Sequence, residues 1–299
     1  MAITKKKAFW FLVICAVLWS TGGFLIKSVD MPPFAITGGR SMFAALFLIL
    51  VRGKPRFSRR PVFIGASLAY AATMTCFVFA TRLTTAADAI MLQYTAPVWV
   101  LLLSYFLLKE RVTKLDVLVT FLILAGLVVF FLDSLGKAEP MSTAPLGNAL
   151  GLLSGVFVSL QAVLIRRTSD EGLSTESVIV AGNLICFFAS LPLLLRSTFT
   201  LENVMWLAIA GFFQLGLAYV FYTAVLPYVT ALELILVPVI EPILNPIFVF
   251  FLNGEKPALT TVFAGIFILT LVTVWCVYRA KEQGVPLNVT AEASAQEEV

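Results

Sequence analysis

The chain of 299 residues contains no histidine and only four cysteines. The absence of histidine excludes His-based catalytic triads and removes both the commonest metal ligand and the usual proton-relay side chain. Cys15, Cys76, Cys186 and Cys276 stand singly inside apolar segments, with no Cys-x-x-Cys motif and no pairing pattern. We interpret them as small buried hydrophobic residues, and we expect neither a metal site nor a cofactor.

Charged residues are also scarce, at 13% of the chain, and they form no enzyme motif. The sequence has no Gly-x-x-x-x-Gly-Lys-Ser/Thr phosphate-binding loop, no Gly-x-Ser-x-Gly nucleophile elbow and no paired-carboxylate motif. The first absence excludes energy coupling by ATP bound at such a loop. The other two argue against an intramembrane enzyme, and we predict that the protein is not an enzyme.

Apolar sequence is what the chain has in abundance. Apolar residues make up 60% of it and the mean hydropathy is +0.97, so lipid is the predicted solvent for most of the chain. Ten stretches of about 18–25 residues each approach the ~20 residues that a helix needs to cross a bilayer. We number these spans one to ten in chain order: 8–26, 33–51, 61–81, 86–108, 114–132, 146–165, 175–195, 203–224, 229–252 and 259–278.

The basic residues predict how these spans are oriented. With the N terminus inside, fifteen of the 21 Lys and Arg residues fall in cytoplasmic segments, five fall outside, and only Arg40 lies within a span. The cluster at 52–60 is therefore interpreted as a topology anchor rather than a nucleic-acid site. We predict a multi-pass inner-membrane protein with both termini in the cytoplasm.

An internal repeat relates the two halves of the chain. Shifting residues 85–111 by 145 positions places them on 230–256, with a small set of informative residues matched. The matched pairs are Thr85 with Thr230, Ala86 with Ala231, Asp88 with Glu233, Pro97 with Pro242 and Glu110 with Glu255. A duplicated membrane unit is typical of transporters whose site lies between the copies.

The repeat also predicts the domain organisation. We expect a first five-helix repeat at 1–132, an extracytoplasmic linker at 133–145, a second five-helix repeat at 146–281 and a disordered cytoplasmic tail at 282–299. Because each half crosses the membrane an odd number of times, the second must enter from the opposite side. The predicted fold is an all-α membrane protein of ten transmembrane helices arranged as two inverted five-helix repeats.

Motifs in both halves carry a resemblance to a known family. They are Ala16-Val-Leu-Trp19-Ser20, Arg40, Pro97 followed by Leu107-Leu-Lys-Glu110-Arg111, Glu241-Pro242, and Phe251-Leu-Asn-Gly254-Glu255-Lys256-Pro257. Over about residues 8–278 the chain resembles the ten-helix EamA-type transporters of the drug/metabolite transporter superfamily. The resemblance implies a central cavity lined chiefly by spans one, three, four, six, eight and nine, and transport, often export, of small metabolites such as amino acids.

Glu241 is the leading candidate for the polar centre. It lies about twelve residues into span nine, near mid-membrane. An acidic side chain at this depth costs free energy, so its presence needs a structural or functional explanation. Asn245 is one helical turn further on, and three prolines (Pro238, Pro242 and Pro246) loosen the helix around both. Such a place suits a substrate amine or a coupling proton; the alternative is a structural carboxyl tied to nearby backbone or to Arg40.

Three further charged residues are candidates for coupling or gating, together with Glu241. Asp88 and Glu233 each follow a threonine by three residues at a helix start, which favours capping boxes over a direct role in gating. Arg40, about seven residues into span two, is interpreted either as a structural counter-ion on a peripheral helix or as a ligand for a substrate carboxylate.

The remaining candidates are polar and aromatic residues on helices that the resemblance places around the cavity. They are Trp19 and Ser20 in span one, Gln93 and Tyr94 in span four, Gln161 in span six, and Gln214, Tyr219 and Tyr222 in span eight. Tyr and Trp can stack on a substrate while offering it a polar tip. The alternative for each residue is a structural role, in which its side chain forms hydrogen bonds that hold neighbouring helices together.

These observations favour a secondary transporter, with export the preferred direction, that moves small metabolites such as amino acids by alternating access. Proton coupling is one option for its energy source. The rival with the same fold exports lipophilic or quaternary cations, with Glu241 as counter-charge and aromatic residues as a cation–π cage. The expected partners are a small-molecule substrate and the lipid bilayer, with no nucleic acid. Because Gly147, Gly151 and Gly155 form a small-residue ridge, the protein is expected to be a monomer or a homodimer.

Overall fold

Helices follow the apolar segments of the chain, because in lipid every backbone N–H and C=O needs a partner and a helix supplies it locally. A computed structural model describes residues 5–84, 86–109, 111–135, 143–244 and 259–282. These residues contain helices and connecting turns and no strand, which confirms the predicted all-helical class for this part of the chain.

The described residues of the first half form seven α-helices within spans one to five. They are α1 (Lys5–Trp19), α2 (Gly22–Lys27), α3 (Pro33–Arg52), α4 (Pro61–Leu83), α5 (Ala86–Gln93), α6 (Ala96–Leu103), which a π-helical turn (Ser104–Leu108) continues, and α7 (Lys114–Leu135).

The described part of the second half follows the same plan. Its helices are α8 (Ala144–Asp170), α9 (Thr175–Leu194), α10 (Leu201–Ile209), a π-helical segment (Ala210–Leu217), α11 (Ala218–Val225), α12 (Ala231–Leu236), a 3₁₀ turn (Val237–Val239), a helical stretch at 240–244, and α13 (Leu259–Glu282).

Seven segments of the described chain are long and apolar enough to cross a membrane, and they correspond to spans one to four and six to eight. Helices α7 and α13, of 22 and 24 residues, stand at spans five and ten and are about 33 and 36 Å long at 1.5 Å per residue. Span nine is described as far as residue 244, and its continuation at 245–252 lies outside the described residues. The chain is a multi-pass membrane protein.

Span one is interrupted between α1 and α2, directly after Trp19. The Ser20 and Thr21 hydroxyls donate to the carbonyls of Val17 and Leu18, at 2.6 and 2.7 Å. Hydroxyls that bond to the preceding turn compete with the helical ladder, and the glycines at 22 and 23 weaken it further. The interruption therefore places the Trp19 ring at the end of a helix.

Spans four and nine are interrupted as well, and both interruptions lie beside proline. Span four breaks at Tyr94 and Thr95, just before Pro97 in the first turn of α6. Span nine tightens into a 3₁₀ turn that contains Pro238. Proline provides no backbone N–H and so removes the helical bond to the carbonyl four residues earlier. The resulting free carbonyls are available to side chains of other helices.

Span eight passes through a π-helical segment that contains Gly211 and Gly216. A Cβ atom on Gly211 would lie 2.3 Å from the Cβ of Phe43 and 2.5 Å from the carbonyl oxygen of Arg40. Only a glycine at this position lets α3 approach span eight so closely. The same segment carries Gln214, which the contact brings beside Arg40.

The predicted capping box at the start of α12 is confirmed. The Thr230 hydroxyl accepts from the Glu233 backbone N–H at 3.2 Å, and the Glu233 carboxylate accepts from the Thr230 N–H at 2.7 Å. In the first half, Thr85 lies outside the described residues, and the neighbouring Thr84 hydroxyl donates to the Asp88 carboxylate at 3.3 Å.

The glycine ridge of α8 packs within the protein, against the end of α4 and against α5. A Cβ atom on Gly147 would lie 2.8 Å from the backbone carbonyl carbon of Leu83, and one on Gly155 would lie 2.9 Å from the carbonyl oxygen of Gln93. The chain's own helices therefore occupy this ridge, as in the commoner use of such ridges, packing within one monomer. This seam joins the first half of the chain to the second.

Replacing Gly155 with alanine tests the seam. We expect Gly155→Ala to lower the free energy of unfolding by about 1–3 kcal/mol, because the added methyl meets backbone that has no room to yield. The matched control is Gly65→Ala on α4, where the new Cβ meets the flexible Leu164 side chain at 3.3 Å. Thermal unfolding in detergent measures both, and equal midpoints for the two variants would contradict the close packing.

Candidate functional site

A cavity of about 80 Å³ is lined by residues from both halves of the chain. By the usual share of about 10–15 Å³ for each water molecule, it has room for several waters or a small solute. Its lining residues are Trp19, Arg40, Thr73, Met74, Phe77, Gln93, Tyr94, Ala96, Val158, Gln161, Gln214, Leu215, Tyr219, Tyr222, Leu234, Ile235, Pro238 and Glu241. Spans one, three, four, six, eight and nine all contribute, and so does span two through Arg40.

Glu241 and Tyr94 meet in this cavity, although 147 residues separate them in the sequence. The Tyr94 hydroxyl lies 2.9 Å from Oε2 of Glu241 and 2.7 Å from the carbonyl oxygen of Pro238. The Glu241 side chain is buried, with 8% of its surface exposed. Both side chains are therefore fixed by hydrogen bonds that cross from one half of the chain to the other.

The local sequence explains why the Pro238 carbonyl is available. Pro242 lies four residues after Pro238, so the N–H that would normally bond this carbonyl is missing. A carbonyl left unpaired in the interior of a membrane protein is costly. The hydroxyl of Tyr94, at the break between α5 and α6, supplies the missing donor.

Arg40 is a fully buried cation with few partners. Its side chain is 1% exposed, Nη1 lies 3.4 Å from Oε1 of Gln214, and Nη2 lies 3.5 Å from the sulfur of Met74. Its Nε atom has no hydrogen-bond partner among the residues that the structure describes. No carboxylate in the described part of the chain comes within 4.0 Å of the guanidinium. An ion pair between Arg40 and Glu241, one form of the structural alternative for Glu241, is therefore absent from this structure.

The placement of Arg40 corrects the expectation that it lies on a peripheral helix. Glycines in α3 and in the π-helical segment of span eight bring the backbone of span two close to span eight. This approach places the guanidinium in the lining of the cavity. Sequence periodicity alone does not show which face of α3 points to the cavity, because α3 is apolar on most of its surface.

Three aromatic residues form a cluster on one side of the cavity. The Trp19 ring lies 5.5 Å from the Tyr219 ring and 5.6 Å from the Tyr222 ring, and the two tyrosine rings are 5.5 Å apart. The tilted and edge-on arrangements are those that aromatic pairs prefer. Tyr70 of α4 extends the cluster, with its ring 5.1 Å from that of Tyr219.

Two glutamines add amide groups to the lining. Nε2 of Gln161 donates to the Tyr219 hydroxyl at 3.1 Å, while the side-chain amide oxygen of Gln161 is buried and has no partner within the described ranges. Nε2 of Gln93 donates to the Ser154 hydroxyl at 2.7 Å, which links span four to span six. The cavity therefore contains an unused acceptor at Gln161 as well as an unused donor at Arg40.

Several predicted site residues lie elsewhere. The Ser20 hydroxyl bonds to its own helix and does not line the cavity, and neither do Asp88 and Glu233, which stand at helix starts. Asn245 lies outside the described residues. The structure brings the other predicted candidates together around the cavity: Trp19, Arg40, Gln93, Tyr94, Gln161, Gln214, Tyr219, Tyr222 and Glu241.

The resemblance implies that span three lines the cavity, but sequence reasoning did not identify which of its residues do so. Thr73, Met74 and Phe77 line the cavity from α4. Their spacing of three to four residues places them on one helical face, but α4 is apolar almost throughout. No feature of the sequence distinguishes this face from those that pack on other helices or face lipid.

An all-helical multi-pass chain whose halves share a buried polar cavity has the architecture of a membrane transporter. The comparison with family models agrees, because the model for the EamA-like transporter family matches the chain twice, at residues 6–132 and 145–276. The chain belongs to the EamA-like transporter family. The double match also confirms the duplication that the internal repeat predicts.

Similar proteins are transporters as well. An uncharacterized transporter of Clostridium kluyveri is 23% identical over 291 residues, which is 88% of this chain and 91% of that protein. Human solute carrier family 35 member G1 is 25% identical over 60% of this chain and 55% of its own length. A protein crystal structure matches with a TM-score of 0.76 at 20% identity, over 92% of this chain and 98% of that chain, which supports the fold.

The bond between Tyr94 and Pro238 can be tested by removing one hydroxyl. Tyr94→Phe removes the donor that the other half of the chain supplies to the Pro238 carbonyl, which keeps only the Ile240 N–H within its own turn, and we expect the free energy of unfolding to fall by about 0.5–1.5 kcal/mol. Tyr105→Phe is the control, because Tyr105 is 61% exposed on the outside of the protein. Thermal unfolding in detergent compares the two, and an equal, small effect would show that the Tyr94 bond does not stabilise the fold.

Proposed function

We propose that the protein is a secondary transporter that moves small metabolites, such as amino acids, by alternating access and favours export. The observation that carries this proposal is the polar cavity shared by both halves, which holds the buried Glu241 carboxyl and the buried Arg40 guanidinium. Ionisable groups inside membrane segments are costly and are characteristic of substrate and ion pathways. A purely structural membrane protein gains nothing from such groups.

The proposed architecture has ten transmembrane helices in two inverted five-helix repeats, at 1–132 and 146–281. Residues 133–145 form the proposed extracytoplasmic linker and 282–299 a disordered cytoplasmic tail. The protein is assigned to the inner membrane with both termini in the cytoplasm. The distribution of Lys and Arg and the odd number of spans in each half support this arrangement.

Glu241 is the proposed coupling residue. As a carboxylate it shares the single Tyr94 O–H proton with the Pro238 carbonyl, and as a neutral acid it can itself donate to the Tyr94 oxygen, which leaves the Tyr94 proton to Pro238. The other ionisable side chains of the described residues that line the same cavity are Arg40, Tyr94, Tyr219 and Tyr222. Exchange of a proton at Glu241 for substrate would couple transport to the proton gradient, with Asp88 and Glu233 as gating residues near the two membrane faces.

The aromatic cluster favours a second candidate function, the export of lipophilic or quaternary cations. Trp19, Tyr219 and Tyr222 present ring faces and edges within 5.6 Å of one another, and such clusters bind cations through their π-systems. In this alternative Glu241 acts as the counter-charge. The presence of Arg40 argues against this alternative, because a cationic side chain in the same cavity would repel a cationic substrate.

Glu241→Gln tests the proposed coupling. Purified protein is reconstituted in liposomes with a pH-sensitive dye inside, and amino acids or organic cations are added outside. We expect substrate-evoked proton movement in the unmodified protein and a decrease of about ten- to a hundredfold in the variant, which corresponds to the loss of one charged partner. Glu171→Gln, at an exposed carboxylate paired with Arg60, is the control. Substrate flux that persists in Glu241→Gln without proton movement would indicate facilitated exchange.

The proposed topology predicts which loops a membrane-impermeant maleimide reaches. In a variant whose four native cysteines are replaced by alanine, Thr198→Cys should be labelled in intact cells. Ser58→Cys should be labelled only after the membrane is opened, because residues 52–60 carry the cytoplasmic cluster of arginines and lysine. Labelling of both positions from the same side would contradict the proposed orientation.

A further inference from the structure

The loop between α3 and α4, at residues 52–60, carries five cations and no acid. We call it the basic segment, and its cations are Arg52, Lys54, Arg56, Arg59 and Arg60. The end of α8 is different, because two arginines there pair with carboxylates at 3.3 Å, Arg166 with Asp170 and Arg167 with Glu171. Membrane orientation depends on Lys and Arg and hardly on Asp and Glu. Orientation alone therefore does not explain why the basic segment has no acid.

Hydrogen bonds hold the basic segment against the second half of the chain. The backbone N–H of Arg56 donates to the Ser177 hydroxyl at 2.8 Å, and Nη2 of Arg52 donates to the carbonyl oxygen of Val220 at 3.1 Å. Ser177 lies in the first turn of α9, and Val220 lies in α11. The segment is therefore fixed in position although it is not helical.

Three cations of the basic segment have no counter-charge. Arg60 pairs with Glu171 at 3.4 Å, but within the described ranges no carboxylate lies within 4.0 Å of Lys54, Arg56 or Arg59. All three side chains are exposed. Guanidinium and ammonium groups bind phosphate through charge-assisted hydrogen bonds. The segment therefore presents three uncompensated charges that suit a phosphate-bearing ligand.

Apolar neighbours place these charges at the edge of the hydrocarbon layer. Leu50 and Val51, in the last turn of α3, are exposed, and α3 is long and apolar enough to cross a membrane. These two side chains therefore face lipid, and the basic segment begins at the next residue. Phe57, in the middle of the segment, is 59% exposed. Such a ring can enter the boundary between acyl chains and headgroups while the neighbouring cations meet the phosphates.

We propose that the basic segment binds anionic phospholipid headgroups, with Lys54, Arg56 and Arg59 on the phosphates and Phe57 at the acyl-chain boundary. This site is separate from the central cavity and is independent of the proposed transport function. A lipid is favoured over a soluble anion because only a lipid also brings acyl chains to Phe57 and to the end of α3. A bound headgroup strengthens the contact between the halves, because the segment belongs to the first half and is bonded to the second.

Thermal unfolding of the delipidated full-length protein in a non-ionic detergent measures this binding without transport. Phosphatidylglycerol, which carries one negative charge, is added to the micelles at increasing mole fraction, and phosphatidylcholine, which is neutral overall, is the comparison. A ligand that binds only the folded protein raises its unfolding midpoint. We expect phosphatidylglycerol to raise the midpoint by about 3–8 °C at saturation and phosphatidylcholine to raise it much less.

A triple variant, with glutamine in place of Lys54, Arg56 and Arg59, should lose this response. Each cation near a charged lipid surface changes the affinity about fivefold, so the triple variant should bind phosphatidylglycerol about a hundredfold more weakly. It should then show no increase in the midpoint over the same range of lipid. Because the three side chains are exposed, the variant should fold with an unchanged midpoint when no lipid is added.

The matched control removes the same number of charges from another loop. It replaces three exposed cations that follow span four with glutamine: Lys109, Arg111 and Lys114. The control should respond to phosphatidylglycerol as the unmodified protein does. An equal loss of response in the control and in the triple variant would show general attraction between lipid and basic loops, and it would overturn the assignment of a site to the basic segment.

Two further results would also overturn the proposal. An equal increase in the midpoint with glycerol 3-phosphate would show a site for a free anion that needs no acyl chain. A lower midpoint of the triple variant without added lipid would show that the three cations already pair within the chain, for example with the glutamates at 292, 297 and 298. Neither result concerns transport, which the Glu241→Gln experiment tests separately.

Discussion

The hydrogen-bonding demand of backbone groups in hydrocarbon is the constraint on which this structure depends. Pro242 leaves the Pro238 carbonyl without its helical donor, and the hydroxyl of Tyr94, from the other half of the chain, replaces it. The bent segment of span nine is thus supported by a side chain at the break in span four. Because the same hydroxyl also reaches Glu241, the support for the backbone and the polar centre of the cavity are one hydrogen-bonded unit.

Close packing makes this unit possible. The glycines of α8 let the first half approach so closely that an added methyl would meet backbone, and Gly211 does the same for α3 against span eight. As a result, Arg40 lies in an apolar interior, next to few polar groups. Its neighbours there are an amide and a thioether, neither of which carries charge.

The sequence predicts the scaffold better than the cavity. The apolar spans, the duplication and the Thr230–Glu233 capping box follow from local patterns, and the structure and the family match agree with them. Glu241 and Tyr94 are distinctive because polar groups are rare in such helices. The burial of Arg40 depends on glycine contacts between helices that are far apart in the sequence. The sequence alone therefore favours a peripheral helix for Arg40. Thr73 and Phe77 were missed because one face of an apolar helix resembles any other.

The duplicated scaffold holds a cavity that is not itself duplicated. The position equivalent to Glu241 in the first half, 145 residues earlier, is Ala96, which also lines the cavity. Asn183, at the place in α9 that matches Arg40, instead bonds to the Tyr70 hydroxyl and does not line the cavity. Each polar centre is therefore present in one copy only. In the proposed alternating-access cycle, a bound molecule would have one preferred orientation, and the inward and outward states would hold it in chemically different ways.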